Sequence, residues 1–468
     1  MNNYLRVFVF CLIGVLYLPS IKAQNRLQPV IYVSSSEGND ANDGLSPNSP
    51  LKTIKAGVAR GEKVLLKAGD VFYESLYATD RIVSRYGTGQ NPSLIGYKRL
   101  IEPRWERVDN NIWKISLAED NFTGYNEVGP SLLNNIGCIH EYDKDLIHGC
   151  RREFYKELTR DWDFWQTEHH ERNIDPNELN YVYLYLSYNP NELKLEFAVS
   201  EFCAYLERST VEHINFYGFG YGVECKNKTN VRFCRVDAMG GRIWLGQKDF
   251  GRLGNGIEFY VSQDMENCTI EGNYITRCYD CGITIQAYNC GKATPRNFTV
   301  KDNLIMNCCQ GWEDFLRNDP DVVFENCVFK NNVVLNSGES GFTYPETRVI
   351  YCHVLGYNSA GDKGMQFEDN VFAKGNYFIG APYNKKYRSN IWRGNKCYIS
   401  PGSNLISHFR GKQDVISLKG NLKESVNEIA QYRDLTNDQT TKFVVLSEKK
   451  MERKVKQLQK KYLRSHSY

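Results

Sequence analysis

Apolar and polar positions alternate in short runs through the middle of this chain, and the runs repeat. Cys268-Thr-Ile-Glu-Gly-Asn-Tyr-Ile275 is echoed by Phe298-Thr-Val-Lys-Asp-Asn-Leu-Ile305. Asn273 and Asn303 are 30 residues apart, as are Ile270 and Val300, and Cys278 and Cys308. A third copy spans Cys327–Val334, with Asn332 lying 29 residues after Asn303, and a looser fourth, Phe367–Phe378, carries Asn370 and Asn376. A glycine and a short apolar strand follow three of the copies, at Gly282, Gly311 and Gly341. A fixed period of this length marks a repeat architecture. The units alternate with period two and lack a helical period, so each reads as one coil of a parallel β-helix. A single coil cannot bury its own apolar face, whereas stacked coils share one core. The pattern therefore predicts Ile270, Ile275, Val300, Ile305, Phe324 and Val334 pointing inward over about six to eight coils. Asn273, Asn303 and Asn332 should stack at one corner, where asparagine tolerates left-handed backbone angles and bonds its counterpart.

The same reading divides the rest of the chain. Residues 1–23 carry a basic start, an apolar run at Val7–Leu18 and a short polar end, the pattern of a cleaved secretory leader with no lipid-anchor cysteine after it. No other run is long and apolar enough for a membrane span. The expected location is secreted or periplasmic. The formal net charge of +3 supplies no general argument for nucleic-acid binding. Basic residues gather at Lys449–Arg464 among Met451, Val455, Leu458 and Leu463, the pattern of an amphipathic terminal helix, with a solvated tail docking on the last coil as the alternative. Of the 15 cysteines most fall within repeats, where a thiol acts as a small apolar filler. Cys138/Cys150 and Cys281/Cys290 are the loop pairs placed to form bridges. Zinc-ligand spacing is absent, Cys278 and Cys281 form a lone CxxC, and no metal site is expected. Glu168-His169-His170 reads as a polar loop.

At the amino-terminal side, Tyr32-Val-Ser, Gly38-Asn-Asp40, Asp43-Gly44, Ser46-Pro47 and Leu51-Lys-Thr-Ile54 precede a Gly69-Asp70 turn. This series resembles the cap of pectate-lyase-like right-handed parallel β-helix proteins, which are common among exported bacterial carbohydrate-active enzymes. The resemblance covers roughly residues 30–100 and 205–400, and it is specific for the fold rather than for one activity. It implies an all-β chain, a right-handed parallel β-helix (solenoid) with an inserted β-rich lobe and a C-terminal helix. The expected division is 1–23 leader, 24–100 cap and first coils, 101–204 lobe, 205–420 coils and 421–468 basic helical tail. Within the lobe, Asp163-Phe-Trp165 with Tyr183–Pro190 resembles a hairpin of related β-helix glycosidases. Its Trp162 and Trp165 are candidate sugar-stacking rings.

Chemistry on such a fold sits on the outer face of one sheet, where successive coils present side chains about 4.8 Å apart. If the residue after each coil glycine points in and the next out, the outward ladder holds Glu224, Arg242 or Trp244, Glu258, Thr284 with Gln286, Glu313 and Thr343. Glu258 and Glu313 are the candidate acid/base pair, with Asp280 and Asp237 in reserve. Gln286, expected between the two glutamates, Arg242 and Trp244 are candidate substrate contacts. Two carboxyls roughly 6.5–9.5 Å apart suit an inverting glycosidase. The leading expectation is thus a glycoside hydrolase acting on a polysaccharide or oligosaccharide without a cofactor. A polysaccharide lyase acting on uronates is the alternative, using Arg242, Lys248 or Arg252 and calling for a calcium ion or an arginine to neutralise the uronate. A non-catalytic carbohydrate-binding β-helix is the third.

Overall fold

The computed structural model describes residues 29–466 and 468, apart from 119–121, 126–135, 168–180, 247–248, 262–263, 288–293, 316–321, 344–351, 357–363, 382–389 and 409–415. Each coil gives one strand to each of three sheets. Sheet 1 begins at Val30–Val33 and passes through Met265–Glu271 and Pro295–Lys301 to Ile391–Arg393. Sheet 2 passes through Arg235–Met239 and Tyr274–Cys278 to Lys442–Val445. Sheet 3 passes through Phe219–Cys225, Ile257–Tyr260, Cys281–Gln286 and Gln310–Phe315 to Asn404–His408. Ile270 pairs in parallel with Val300, and Ile275 with Ile305, as the 30-residue period requires. The chain is a right-handed parallel β-helix, the hand that strand twist favours for parallel crossovers. Between residues 205 and 400, sheet 1 receives seven strands, one per coil.

Ile270, Ile275, Val300, Ile305 and Val334 are fully buried and Phe324 is 5% exposed, all within one continuous core. Burying such side chains contributes about 1.5–3 kcal/mol each. An aromatic file runs up the same interior, with Trp312 against Phe329 at 5.5 Å, Phe329 against Phe367 at 5.6 Å and Phe367 stacked on Trp392 at 4.4 Å. At the corner between sheets 1 and 2, the Asn303 side-chain oxygen accepts from both the backbone N–H and the amide of Asn273, each at 2.9 Å. Asn332 does the same for Asn303, and Asn370 for Asn332. Asn395 adds a rung that the spacing did not reveal.

The cap forms as its motif predicts. Thr53 caps the helix Ile54–Arg60, and Asp40 accepts from the N–H groups of Lys52 and Thr53. The insertion builds its own core around Trp105, Phe164, Val182, Leu184 and Phe197. An antiparallel sheet of Glu106–Asp109, Ile112–Ser116, Tyr181–Tyr185 and Phe164–Gln166 flanks it. The lobe is grafted onto the coils rather than detached from them. Strand Leu195–Glu207 pairs antiparallel with Ile139–Glu141 at one end and parallel with Phe219–Cys225 at the other. Phe342–Thr343 pairs with the lobe strand Leu146–His148, so Thr343 leaves the outward ladder and Leu355 follows Glu313 there.

At the far end, helix Val426–Thr436 closes the interior through Tyr432, packed on Phe378 and Phe443. Helix Glu448–Ser465 forms where the basic pattern placed it, but it lies along the outside of sheet 2 rather than on the last coil. All 13 described cysteines are buried free thiols, so Cys138 and Cys150 form no bridge; the Cys150 thiol instead donates to Asp163 at 3.1 Å. Cys281 is a free thiol, and its expected partner Cys290 lies outside the described residues, as do the leader and Glu168-His169-His170. Among the described residues no helix is long and apolar enough to cross a membrane.

Candidate active site

The repeated glycines determine where the outward ladder falls. Gly222, Gly256, Gly282 and Gly311 directly precede Val223, Ile257, Ile283 and Trp312, which pair in register. A Cβ at Gly256 would stand 2.6 Å from the Gly282 carbonyl oxygen, and one at Gly311 2.8 Å from that of His353. Only glycine lets successive coils approach this closely at the corner. The next residues turn inward, and the ones after them face out. Glu224 pairs with Glu258, Glu258 with Thr284, and Thr284 with Glu313. Glu258 and Glu313 are therefore two coils apart, with backbones about 9.5 Å from each other.

Burial sets the electrostatics of this row. Glu313 is 5% exposed and Thr284 is fully buried. The Thr284 hydroxyl donates to Glu313 at 3.2 Å. Burial, reinforced by the negative charge of Asp280, nevertheless holds the Glu313 acid well above the usual carboxyl range. Glu258 accepts from the Asn255 amide at 2.9 Å. Burial pushes its acid up to about 7 against that hydrogen bond, with Glu224 and Asp280 adding repulsion. Asp280 lies at the corner just before Cys281, where Arg252 donates to it at 3.2 Å. The same guanidinium contacts the Cys309 sulfur at 3.2 Å and sits 4.6 Å from the centre of the Tyr279 ring. The row thus presents two glutamates whose acids burial raises, with Asp280 held by Arg252 at the corner beside it.

Two residues downstream of the glutamates, Lys226, Tyr260, Gln286 and Phe315 occupy the next outward positions, with Gln286 paired to Tyr260 and Phe315. Thr284, not Gln286, therefore separates Glu258 from Glu313. Lys226 contacts Glu224 at 2.5 Å, and its ammonium lies 4.7 Å from the Tyr260 ring centre and 5.6 Å from that of Tyr205. Tyr205, Glu207, Lys226, Tyr260 and Asp264 line a cleft of about 190 Å³ beside the row. Lys226, Tyr205, Tyr260 and Asn255 were not among the residues chosen from the sequence. The alternation that selects Glu224 and Glu258 also selects Lys226 and Tyr260, two positions on.

Other sequence candidates lie elsewhere. Asp237 is on sheet 2, fully buried, and its oxygens are held by Arg277 at 2.7 and 2.9 Å and by Arg235 at 2.5 Å. It is a structural ion-pair centre away from the glutamate row. Arg242 belongs to a two-stranded excursion, Gly241–Gly246 with Asp249–Leu253, and reaches the Arg151 carbonyl of the lobe at 3.2 Å. Neither it nor Trp244 occupies a ladder position, because Glu224 pairs directly with Glu258 across this excursion. The Trp244 backbone lies opposite Phe250, and its side chain is outside the described residues. Trp162 and Trp165 are 8% and 6% exposed; Trp162 stacks on His148 at 3.5 Å, and Trp165 packs with Leu158 and Tyr183. Both rings belong to the lobe interior, so their expected sugar contact is withdrawn. Among the described residues no cluster of His, Cys, Asp and Glu is arranged to hold a metal ion.

No protein-family model and no curated protein sequence matches the chain. Solved structures similar to it include a complex of XylC with xylose, at TM-score 0.43 and 11% identity, covering 89% of this chain and 82% of that one. Another is described as a glycoside hydrolase, at TM-score 0.41 and 10% identity, covering 87% and 100%. A third is an alginate lyase from Paenibacillus sp. str. FPU-7, at TM-score 0.32 and 11% identity, covering 81% and 98%. Likeness at this level assigns no activity, and the chemistry rests on the residues of sheet 3.

Proposed function

We propose that this protein is an exported glycoside hydrolase that cleaves an oligosaccharide or polysaccharide along the outer face of sheet 3, with inversion at the anomeric carbon. The supporting observation is the single outward row in which Glu258 and Glu313 stand two coils apart, both with pKa raised by burial. Glu313, kept protonated by burial, donates to the leaving oxygen. Glu258, titrating near 7, activates water when ionised, matching the value that serves a general base best. Carboxyls on adjacent coils would suit the closer spacing of a retaining enzyme, roughly 5–5.5 Å, whereas a two-coil separation leaves room for water. Asp280 and Arg252 set the local field, and Tyr205 and Tyr260 offer ring faces to sugar in the adjoining cleft.

Hydrolysis fits these residues better than elimination does. Arg252 is engaged by Asp280 and Lys226 by Glu224, so neither is a free base or a free partner for a uronate. The test is a screen of the purified protein against plant, algal and host-type glycans with two readouts. New reducing ends without ultraviolet absorbance from unsaturated sugars support hydrolysis. Unsaturated products would replace this reading with a lyase, and no cleavage of any glycan that the protein binds would replace it with a binding function.

A further inference from the structure

We propose that the C-terminal helix and the edge of sheet 2 form a second, non-catalytic groove that holds an acidic polysaccharide chain. Helix Glu448–Ser465 carries eight Lys or Arg residues and two Glu, a net charge of +6, whereas the whole chain carries only +3. Its apolar side is already used. Met451, Val455 and Tyr462 are buried against Leu304, Leu335 and Tyr398, and the Tyr462 hydroxyl reaches the carbonyls of Asn273 and Asp302 at 3.0 and 2.8 Å. The cationic face is therefore fixed outward, and no apolar face remains to enter a lipid bilayer.

Between this helix and strand Lys396–Ile399 runs a groove of about 850 Å³. Val371, Tyr398 and Leu458 supply apolar lining, while Lys396, Lys454, Lys460, Lys461 and Arg464 supply charge. The Lys396 and Lys454 ammonium groups lie 5.2 and 4.9 Å from the centre of the Tyr398 ring. None of these five cations is in an ion pair with a carboxylate among the described residues, although ion pairs are frequent on the coils. Lys454 and Lys461, seven residues apart, follow one another along the helix at about 10 Å. A linear chain bearing regularly spaced carboxylates or sulfate esters matches this arrangement. Its charges meet the cations, of which Lys396 and Lys454 lie over the buried Tyr398 ring. Single-stranded nucleic acid fits less well, since sequence-tolerant binding stacks successive bases on several rings and the one ring of this groove, Tyr398, is buried. Duplex DNA fits less well too, because the helix lies flat on the coils and cannot enter a groove.

The full chain is titrated at low and high salt with heparin and polygalacturonate as acidic probes. Dextran, a single-stranded oligonucleotide and phosphatidylserine vesicles serve as contrasts. The triple variant Lys454→Gln/Lys461→Gln/Arg464→Gln is expected to bind an acidic glycan at least about tenfold more weakly, with a shallower salt dependence. The control variant Lys52→Gln/Lys55→Gln/Lys63→Gln, the same charge change on the exposed surface of the cap, is expected to keep wild-type affinity. Thermal stability and sheet 3 chemistry should be unchanged in both variants. Equal losses in the two triple variants would reduce the effect to overall charge and overturn the proposal. So would failure of the unmodified chain to bind either acidic glycan, or oligonucleotide or vesicles binding more tightly with the same sensitivity to the triple change.

Discussion

Glu258 and Glu313 stand in the same register of one parallel sheet, two coils apart, with Thr284 between them. No loop has to fold for the two carboxyls to share a face, because stacking of the coils places them there. Glu258→Gln and Glu313→Gln are each expected to lower turnover by at least ~10² on a confirmed substrate, the contribution typical of general acid–base catalysis. Circular dichroism should show an unchanged fold. Near-normal rates in both variants would remove the pair from the mechanism and move Asp280, at the corner beside the row, ahead.

The same glutamates should cost stability. An acid whose folded value is raised, as for Glu258 at about 7 and for Glu313, which burial and Asp280 hold well above the usual range, keeps its proton in the folded chain after the unfolded chain has lost it. Unfolding then releases protons, so stability falls as pH rises from the ordinary glutamate value, near 4.5, through the folded value. Glu258→Gln removes the part of this dependence that Glu258 contributes. The variant is expected to be more stable than the parent at pH 8 by roughly 2–4 kcal/mol and nearly equal to it at pH 4. Denaturant melts across that range check the sign, and a variant less stable at pH 8 would contradict it.

How far the sequence revealed this molecule depended on whether a feature repeats. The asparagine corner, the inward isoleucines and valines and the glycine column recur at nearly constant spacing, and each was readable because every coil demands it. Glu258 and Glu313 were found as offsets from those glycines. Features that occur once were not readable. Gly241 opens an excursion between coils rather than a coil strand, so Arg242 was assigned a ladder position it does not hold. The phrase after Gly341 repeats the pattern, yet Phe342–Thr343 pairs with the lobe. Trp162 and Trp165 show why aromatic content alone does not locate a sugar site, since a lobe of this size needs the same rings for its own core. The Arg252–Asp280 contact joins two coils across one corner and leaves no trace in spacing.

Asp237 and Asp280, both carboxylate candidates from sequence, should separate by experiment. Asp237 is enclosed by Arg277 and Arg235, and Arg277 continues to Asp145 of the lobe at 2.8 Å. Removing one member of a buried ion pair strands its partners and typically costs 3–5 kcal/mol. Asp237→Asn is thus expected to lose about that much stability while keeping the turnover of the folded fraction. Asp280→Asn, on the partly exposed corner beside both glutamates, is expected to change turnover and its pH profile with a smaller loss of stability. Reversal of these two patterns would place the reacting groups on sheet 2.

His140 carries the next link of the same network and predicts a pH dependence of opposite sign to that of the glutamates. Its ring bonds Asp145 at 3.1 Å and Glu196 at 2.8 Å and stacks on Tyr97 at 4.9 Å. Burial lowers its basicity, but the two carboxylates outweigh burial and raise it above the usual 6.5. Arg99 also bonds Glu196, and Arg277 bonds Asp145, whose acid is held well below the usual carboxyl range by His140 and Arg277. A histidine raised on folding stabilises fully below its unfolded value, and that contribution is lost as pH rises through the folded value. His140→Gln is therefore expected to destabilise the protein more at pH 5.5 than at pH 9. Because Asp145 joins the lobe to Arg277 on the coils, hydrogen exchange should show the loss first in Ile139–Glu141 and Leu146–His148. A loss independent of pH would mean that the ring acts there by packing alone.

Asn303 offers the sharpest test of the corner. Its oxygen accepts two hydrogen bonds from Asn273, and its amide donates to the Ile270 carbonyl at 3.0 Å and to Asn332 at 2.9 Å, all fully buried. Truncation leaves the Asn273 backbone N–H, the Asn273 side-chain amide, the Asn332 oxygen and the Ile270 carbonyl each without one partner. An unsatisfied buried group costs roughly 1–3 kcal/mol. Asn303→Ala should therefore lower stability by at least about 3 kcal/mol, more than methyl-sized cavity formation would. Asn395 ends the described ladder, where it accepts from Asn370 and passes its amide to the Phe367 carbonyl at 2.8 Å. With no further asparagine rung accepting from it, Asn395→Ala is expected to cost less than Asn303→Ala. Equal losses at the two positions would show that the rungs act independently, and a loss below 1 kcal/mol at Asn303 would remove the ladder from the account of what holds the coils in register.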